Sequence, residues 1–438
     1  MGPPLPDSVL AGEIGGIGLS VDGASGFGHM RGMISELIRV VSTACRTVGL
    51  LLVIGSGLPV LSASSGPLKV FLLVGQSNMQ GHAHVRTFEH MGMDPRTAPL
   101  LGAMQENGRP KVCESVWIAS LSSGGERHGP LTAGYGASEE KIGPEFTFGI
   151  HMGQALAEPI LILKTAWGGR SLHTDFRPPS AGAFRFNETQ LERFRRQDKD
   201  LEAIRREKGK ATGRSYREMI RFVRKTLADL KEVYPDYDPQ SGYDLAGLVW
   251  FQGWNDMVDR AVYPNRGEPG GYDAYSGLLA HFIRDVRRDL SVPALPVVIG
   301  VMGVGGPVEL YLPDQQRYAG IHQHFRDAMA APSTLAKFED SVVAVRTERF
   351  WDQELKQLRA KEATLRARLK EARSGTSLGG DALSQLQETL RTQLFEPREW
   401  ETLKAGVSNQ EYHYLGSAKI IAQIGKAFAE SMVTVINR

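Results

Sequence analysis

Ser77 occupies a position where a serine could act as a nucleophile. It follows Val70–Val74, an unbroken apolar run that ends at Gly75, and this pattern is typical of a buried strand in a parallel sheet. Open α/β sheets place their chemistry just beyond the carboxyl ends of the strands. The Ser77 hydroxyl would then face a cleft, near backbone N–H groups that could receive a developing negative charge. The alternative is that Ser77 only caps the following helix.

Two further apolar runs end in residues that could assist such a reaction. Pro159–Leu163 leads into a pair of glycines, and Tyr243–Phe251 leads into two amides. The four residues are Gly168, Gly169, Gln252 and Asn255. Glycine lets the backbone approach a ligand closely, and an amide NH₂ can donate to an oxyanion. The alternatives are a tight strand–loop turn for the glycines and an asparagine that satisfies its own loop backbone.

The block Gly75–Met79, Gly-Gln-Ser-Asn-Met, resembles the nucleophile block of the SGNH hydrolases, most closely the branch of sialate O-acetylesterases and acetyl-xylan esterases. The resemblance implies that Ser77 is the nucleophile. It also implies that the N–H of Gly169, with Gly168 as the alternative, and the side chain of Asn255 donate to the oxyanion. Gln252 is kept as a further candidate donor, because the sialate-esterase branch usually carries Gln-Gly-Glu-Ser-Asp at this place.

A histidine near the C-terminus completes the resemblance. The segment Ser408–Lys419 resembles the last block of the family, which implies that His413 is the general base. The family generally carries Asp three residues earlier, but this chain has Gln410 there. Glu411 is the candidate acid, and a backbone carbonyl or a Ser–His dyad remains the alternative. His82 and His84 are interpreted as residues that line the cleft.

The order of apolar runs predicts an α/β fold. Five runs read as strands and alternate with helical patterns: 70–74, 159–163, 243–251, 296–302 and 341–346. Alternation of this kind predicts a parallel sheet, with an additional edge strand within 111–120. The resemblance implies a three-layer α/β/α sandwich of the flavodoxin-like type with a mostly parallel five-stranded sheet.

Two charge-rich segments are predicted to be helical insertions, at about 180–240 and 351–400. The second carries two leucine series at helical spacing and reads as a helical hairpin. Packing on the parent domain is favoured over pairing with another subunit, so the oligomeric state stays open. The domain plan is therefore 1–29 as a disordered or wrongly assigned start, 30–63 as a signal peptide and 64–438 as the esterase domain.

The signal peptide is inferred from a basic, then apolar, then small-residue pattern. Three arginines precede the apolar run 48–61, which Gly and Pro interrupt, and Ala63 marks the expected cleavage. The run is too short for a membrane anchor, so no stable span is expected after cleavage. The protein is therefore expected to be secreted or periplasmic.

The bulk composition limits the partners. With 51 basic and 49 acidic residues the net charge is +2, which gives no reason to expect nucleic acid. The two cysteines lack the spacing of a zinc site, and no metal or cofactor is expected. The resemblance implies a serine esterase that removes O-acetyl groups from carbohydrates. The alternatives are a hydrolase of lipid esters and a non-catalytic glycan-binding relative.

Overall fold

The computed structural model describes residues 66–375 and 379–438. The disordered start predicted for 1–29 and the signal peptide predicted for 30–63 lie outside the described residues. Within the described ranges, no helix combines the length and the apolar character needed to cross a bilayer.

A central sheet of seven strands forms the framework. The strands are β1 (Leu68–Gln76), β2 (Cys113–Ser122), β3 (Gly125–Leu131), β4 (Ile160–Trp167), β5 (Tyr243–Phe251), β6 (Val297–Val301) and β7 (Val342–Arg346). Their order in the sheet is β7-β6-β5-β1-β4-β2-β3. All neighbours are parallel except β2 and β3. The five predicted strands are all present, but the predicted count of five was wrong.

The two additional strands form a hairpin at one edge. The predicted edge strand corresponds to β2, which pairs with β4, whereas β3 was missed. The sequence of β3 contains two charged residues, a histidine and Pro130, so it lacks the apolar pattern of a buried strand. Proline is tolerated there because only one side of an edge strand is hydrogen-bonded.

Helices cover both faces of the sheet. Before β5 they are α1 (Ser77–Gln80), α2 (Phe88–Gly92), α3 (Ala98–Met104), α4 (Glu145–Ala155), α5 (Glu188–Arg196), α6 (Leu201–Ala211), α7 (Arg214–Ala228) and α8 (Leu230–Val233). After β5 they are α9 (Trp254–Val258), α10 (Asp273–Asp289), α11 (Ala319–Ala330), α12 (Gln353–Gly375), α13 (Gly380–Leu394), α14 (Pro397–Gly406) and α15 (Ala418–Ile436).

Two neighbouring residues of β5 show the three layers directly. Successive side chains of a strand point to opposite faces. Trp250 packs against Phe282 of α10 with ring centroids 4.3 Å apart, whereas Phe251 packs against Phe428 of α15 at 5.3 Å. The sheet therefore lies between α10 and α15, as the predicted sandwich requires.

Both insertions are helical, as predicted. The first consists of α5 to α8, and the second contains the hairpin of α12 and α13, followed by α14. The hairpin is anchored to the parent domain by buried leucines of α12, Leu355, Leu358 and Leu365.

Candidate active site

The candidate nucleophile lies at the centre of the sheet. Ser77 is the first residue of α1 and directly follows β1, which has β4 and β5 as its neighbours. A side chain at Gly75 would collide with the backbone oxygen of Phe251 at 2.1 Å and with Met79 at 2.8 Å. Glycine at this position therefore allows β1 to turn into α1 against the end of β5. The ends of three adjacent strands consequently converge on Ser77.

Gln76 connects the nucleophile to the end of β5. Its Nε2 donates to Oδ1 of Asn255 at 2.9 Å and lies 3.4 Å from Oγ of Ser77. Its Oε1 accepts from the backbone N–H of Gly253 at 3.0 Å. Because the oxygen of the Asn255 amide is held by Gln76, its NH₂ group points away from this bond. In the described part of the chain that NH₂ makes no hydrogen bond, so it is available to an oxyanion.

Gln252 is part of the framework and not a free donor. Its Nε2 donates to Oδ2 of Asp256 at 2.7 Å, to the carbonyl of Arg170 at 3.0 Å and to Oε1 of Gln76 at 3.2 Å. An amide whose NH₂ is already engaged three times cannot turn to an oxyanion without breaking these bonds. In this arrangement Gln252 offers no free N–H to an oxyanion, and its role as a further donor stays a prediction.

Asp256 fixes the loop after β4 to the end of β5. Its fully buried carboxylate accepts from the backbone N–H groups of Leu172 at 2.7 Å and His173 at 3.0 Å, and from the hydroxyl of Tyr263 at 3.0 Å. Gln252 supplies a further bond. The loop that carries the two glycines is thus tied to α9, which follows β5 and carries Asn255. The sequence signal was the acidic residue next to Asn255, to which no role was assigned.

The glycine pair lies beside the nucleophile. A Cβ built on Gly168 would lie 4.0 Å from Cβ of Ser77 and 3.7 Å from Oε1 of Gln80. Gly169 has φ +75 and nothing within 4 Å of its Cβ position. Gly168 therefore faces Ser77, and the left-handed backbone of Gly169 favours glycine. Donation by Gly169 stays a prediction, with Gly168 as the residue nearer to the serine.

The candidate base is oriented by an amide and not by a carboxylate. Nδ1 of His413 lies 3.0 Å from Oδ1 of Asn409, which also accepts from the backbone N–H of Gln410 at 2.7 Å. Because Oδ1 can only accept, Nδ1 carries the proton and Nε2 keeps its lone pair. Glu411 is exposed, lines a neighbouring cavity and makes no hydrogen bond with the imidazole. In this structure Asn409 takes the place expected for Glu411, and the role of Glu411 as the orienting acid stays a prediction.

The role of Asn409 was missed because it lies four residues before His413, one residue from the position where the family carries Asp. The loop Glu411–Gly416, which carries the base, also packs against α1, the helix that begins at Ser77. A tight turn is needed for this arrangement. The N–H groups of Ser408 and Asn409 both donate to the carbonyl of Leu415 at 2.9 Å.

This turn contains two residues with a left-handed backbone. Tyr414 has φ 52 and Leu415 has φ 60, a conformation that is costly for residues other than glycine. The buried hydroxyl of Tyr414 accepts from the N–H of Gly303 at 2.8 Å and lies 2.8 Å from Oγ1 of Thr347. The anchored tyrosine thereby holds the strained turn that presents His413.

A second histidine stacks on the base. The rings of His82 and His413 are parallel within 2°, with centroids 3.8 Å apart. Burial, together with the charge of Lys141, lowers the pKa of His413 to about 4. Burial and the charge of His413 lower the pKa of His82 to about 3. Both imidazoles are therefore neutral at pH 7, as a general base requires. The prediction that His82 lines the cleft agrees with this stack.

A cavity of about 360 Å³ lies next to the base. Trp254, two arginines (Arg260 and Arg266) and Glu411 are among its lining residues. Tyr412 connects it to the base, since its ring lies 4.4 Å from the His413 ring and 5.7 Å from the Trp254 ring. Across the described residues, no group of three or more His, Cys, Asp or Glu side chains could hold a metal ion.

One family model matches more than half of the chain. The family model described as carbohydrate esterase, sialic acid-specific acetylesterase matches residues 67–332. The matched part contains Ser77, Gly169 and Asn255 but ends before His413. This match therefore gives no support for His413, whose assignment as the base rests on the resemblance of its own segment and on the geometry above. No curated protein sequence matches the chain.

Three solved structures show a remote likeness. A protein from Arabidopsis thaliana is 15% identical, with a TM-score of 0.38, over 84% of this chain and 98% of the other. A carbohydrate acetylesterase from Xanthomonas citri is 13% identical, with a TM-score of 0.34, over 63% and 49%. NanS is 14% identical, with a TM-score of 0.33, over 64% and 79%.

Proposed function

Because the chain belongs to the carbohydrate esterase, sialic acid-specific acetylesterase family, we propose that it removes O-acetyl groups from carbohydrates through an acetyl-enzyme formed on Ser77. The observation that carries the proposal is the convergence of Ser77 with Gly168, Asn255 and the loop of His413 at the central strand ends. A nucleophile, an oxyanion donor and a base are the parts that acyl transfer needs.

The proton moves along a defined path. Nε2 of His413 takes the proton of the Ser77 hydroxyl while Oγ attacks the acetyl carbonyl. The NH₂ of Asn255 and backbone N–H groups at Ser77 and the glycine pair hold the oxyanion that forms. The imidazolium then protonates the sugar oxygen as its bond to the acetyl carbon breaks. A water molecule gives a proton to Nε2 of His413 while its oxygen attacks the acetyl carbon. The bond to Oγ of Ser77 then breaks, His413 returns the proton to Oγ, and acetate leaves.

Asn409 orients His413 as a triad acid would, but it does not supply a negative charge. Its Oδ1 fixes the tautomer and the direction of the ring through the 3.0 Å contact with Nδ1. An amide stabilises the imidazolium less than a carboxylate would. The low pKa of His413 is consistent with this, and it keeps the base neutral even in weakly acidic solution.

The cavity beside the base supports a sugar as the substrate. Trp254 and Tyr412 offer aromatic faces, on which a sugar ring can stack. Arg260 and Arg266 supply positive charge on the same wall, which suits the carboxylate of a sialic acid. An acetylated sialic acid is therefore the proposed substrate, and neutral acetylated xylan is the comparison that tests it.

The test is acetate release from O-acetylated N-acetylneuraminic acid and from acetylated xylan by the full chain, Ser77→Ala and His413→Ala. We expect each variant to lose turnover by about a thousandfold or more. Ser138→Ala is the matched control, because Ser138 is exposed and its hydroxyl makes no hydrogen bond with the described residues. Equal turnover in the wild type and Ser77→Ala would refute the mechanism.

A non-catalytic role is the second candidate, and it is favoured because no carboxylate among the described residues bonds to His413. Binding of acetylated sugar without acetate release by the wild type would establish it. A p-nitrophenyl acetate assay separates the cases further, since rapid hydrolysis of this ester without turnover of either glycan would point to a different ester substrate.

We also propose that the protein is exported. The support is the basic, apolar and small-residue pattern of residues 30–63. Amino-terminal sequencing of protein recovered outside the cytoplasm tests it, with a mature terminus near Ala63 as the expected result. An intact terminus at Met1, Met30 or Met33 on an intracellular protein would refute it.

A further inference from the structure

A second cavity, of about 890 Å³, is formed by the first helical insertion. Its wall consists of the loop 177–186 together with residues of α5, α6 and α7. None of its lining residues belongs to the candidate catalytic group. The volume lies in the range of natural small-ligand sites, about 300 to 1,000 Å³.

The lining of this cavity has one sign of charge. Five of its residues are basic and none is acidic, although the chain as a whole is nearly neutral at +2. The basic residues are Arg177, Arg185, Arg205, Lys208 and Arg217. Aromatic rings complete the wall, among them Phe184. A concave surface of one sign raises the local concentration of ligands of the opposite sign.

Four of these cations have no carboxylate partner among the described residues, and one of the four, Arg217, donates to the carbonyl of Thr212 at 2.9 Å. Arg177 is held by carbonyl groups, those of Gly182 at 2.7 Å, Ala181 at 3.0 Å and His173 at 3.3 Å. Nζ of Lys208 lies 4.2 Å from the centre of the Phe184 ring and forms no ion pair. Arg185 is exposed and makes no hydrogen bond or ion pair.

Arg177 is repelled by Arg185 and repels Lys208. Burial and then the charge of Arg185 lower the pKa of Arg177, although Tyr263 acts in the opposite direction. Burial lowers the pKa of Lys208; the charges of Asp175, Asp259 and Asp256 act in the opposite direction, and Arg177 adds a smaller lowering. Because burial disfavours the charged forms of Arg177 and Lys208, keeping them charged costs free energy, part of which a bound anion would recover.

We propose that this cavity binds the carboxylate of an acidic sugar, as a site separate from the catalytic cleft. Arg185 and Lys208 contact the carboxylate, and Phe184 packs against the sugar ring. Arg177 keeps the loop in place through its carbonyl contacts. The choice of a carbohydrate rests on the proposed function, whereas the requirement for an anion rests on the cavity alone. A sialic acid and a uronic acid both supply this chemistry.

The test is isothermal titration calorimetry of the full chain with three unacetylated oligosaccharides of equal length: oligosialic acid, oligogalacturonic acid and neutral xylo-oligosaccharide. We expect at least one acidic ligand to bind and the neutral one not to bind. Lys208→Gln and Arg185→Gln should each weaken binding by roughly tenfold, as for a lost charged hydrogen bond. Added salt should weaken the binding as well.

Lys210→Gln is the matched control. Lys210 lies on the same helix as Lys208, pairs with Glu207 at 2.7 Å and does not line the cavity, so its replacement should leave the affinity unchanged. Circular dichroism and thermal melting show whether each variant is folded. If Lys208→Gln were unfolded, Arg185→Gln would decide, because the exposed Arg185 supports no other side chain.

Four results would overturn the proposal: no binding of either acidic sugar, equal binding of the neutral sugar, equal weakening by Lys210→Gln, or tighter binding of an RNA oligonucleotide of the same charge. The last result would assign the cavity to nucleic acid. The acetate-release assay is independent of this test. A chain that binds acidic sugar but releases no acetate would therefore refute only the esterase proposal. A chain that releases acetate but binds no acidic sugar would refute only the present one.

Discussion

The replacement Asn409→Asp tests how the base is controlled. It would place a carboxylate oxygen at the position of Oδ1, which lies 3.0 Å from Nδ1 of His413. A full negative charge about 4 Å from the centre of the imidazolium stabilises it by about 4 kcal/mol at an effective dielectric constant of about 20. Part of this is offset by desolvation of the new carboxylate. We therefore expect the pKa of His413 to rise by about 1 to 3 units.

The direction of the effect on activity follows from the role of the base. Only neutral His413 can accept the serine proton, so kcat/KM should rise with pH through the pKa of His413 in the free enzyme. In the wild type that pKa is about 4, and kcat/KM should be flat from pH 6 to 8. In Asn409→Asp the rise should move to between about pH 5 and 7, so that its activity at pH 6 lies up to about tenfold below its own plateau at higher pH.

The measurement is the pH profile of kcat/KM with p-nitrophenyl acetate between pH 4 and 8, corrected for hydrolysis by Ser77→Ala. Gln410→Asp and Glu411→Gln are the controls, since both residues are exposed and neither contacts the imidazole. An unchanged profile in Asn409→Asp, or an equal shift in Gln410→Asp, would refute the assignment of Asn409 as the partner of His413.

Three further replacements address the supports of the site. His82→Ala should expose the His413 ring to water and raise its pKa, whereas His82→Phe should keep the stack and leave the pH profile of kcat/KM near that of the wild type. Identical pH profiles for His82→Ala and His82→Phe would contradict a role for the stack. Asp256→Asn should lower kcat by about 10- to 100-fold and reduce the free energy of unfolding by about 2 to 4 kcal/mol, because one of the donors to Asp256 would then face an NH₂ group. Steady-state kinetics and urea denaturation measure the two effects. An unchanged kcat would show that the loop after β4 does not need this anchor. Tyr414→Phe should leave the N–H of Gly303 without its acceptor, reduce the free energy of unfolding in urea by about 1 to 3 kcal/mol and lower kcat. An unchanged free energy of unfolding would show that the strained turn does not depend on this hydrogen bond.

Most of the fold could be read from the sequence because buried parallel strands are continuous apolar runs. The runs at 70–74, 159–163 and 243–251 correspond to the three central strands β1, β4 and β5. Strands buried on both faces are mostly apolar, so this pattern is visible in the sequence. The edge strand β3 could not be found in this way, because half of its environment is solvent and it tolerates Arg127, His128 and Pro130. The three-layer arrangement follows from the same logic, since such a sheet needs helices on both faces.

The sequence by itself determined which residues stand at strand ends, and so identified Ser77, the glycine pair and Asn255 as candidates. Only the tertiary structure decided what each amide and carboxylate does. Gln252 and Asn255 look alike as residue types, yet Asp256 engages the first while Gln76 turns the NH₂ of the second outward. Glu411 and Asn409 are both close to His413 in sequence, yet the turn directs only Asn409 to Nδ1. Such choices depend on hydrogen-bond directions between segments far apart in the chain, and the order of residues along a single segment does not contain them.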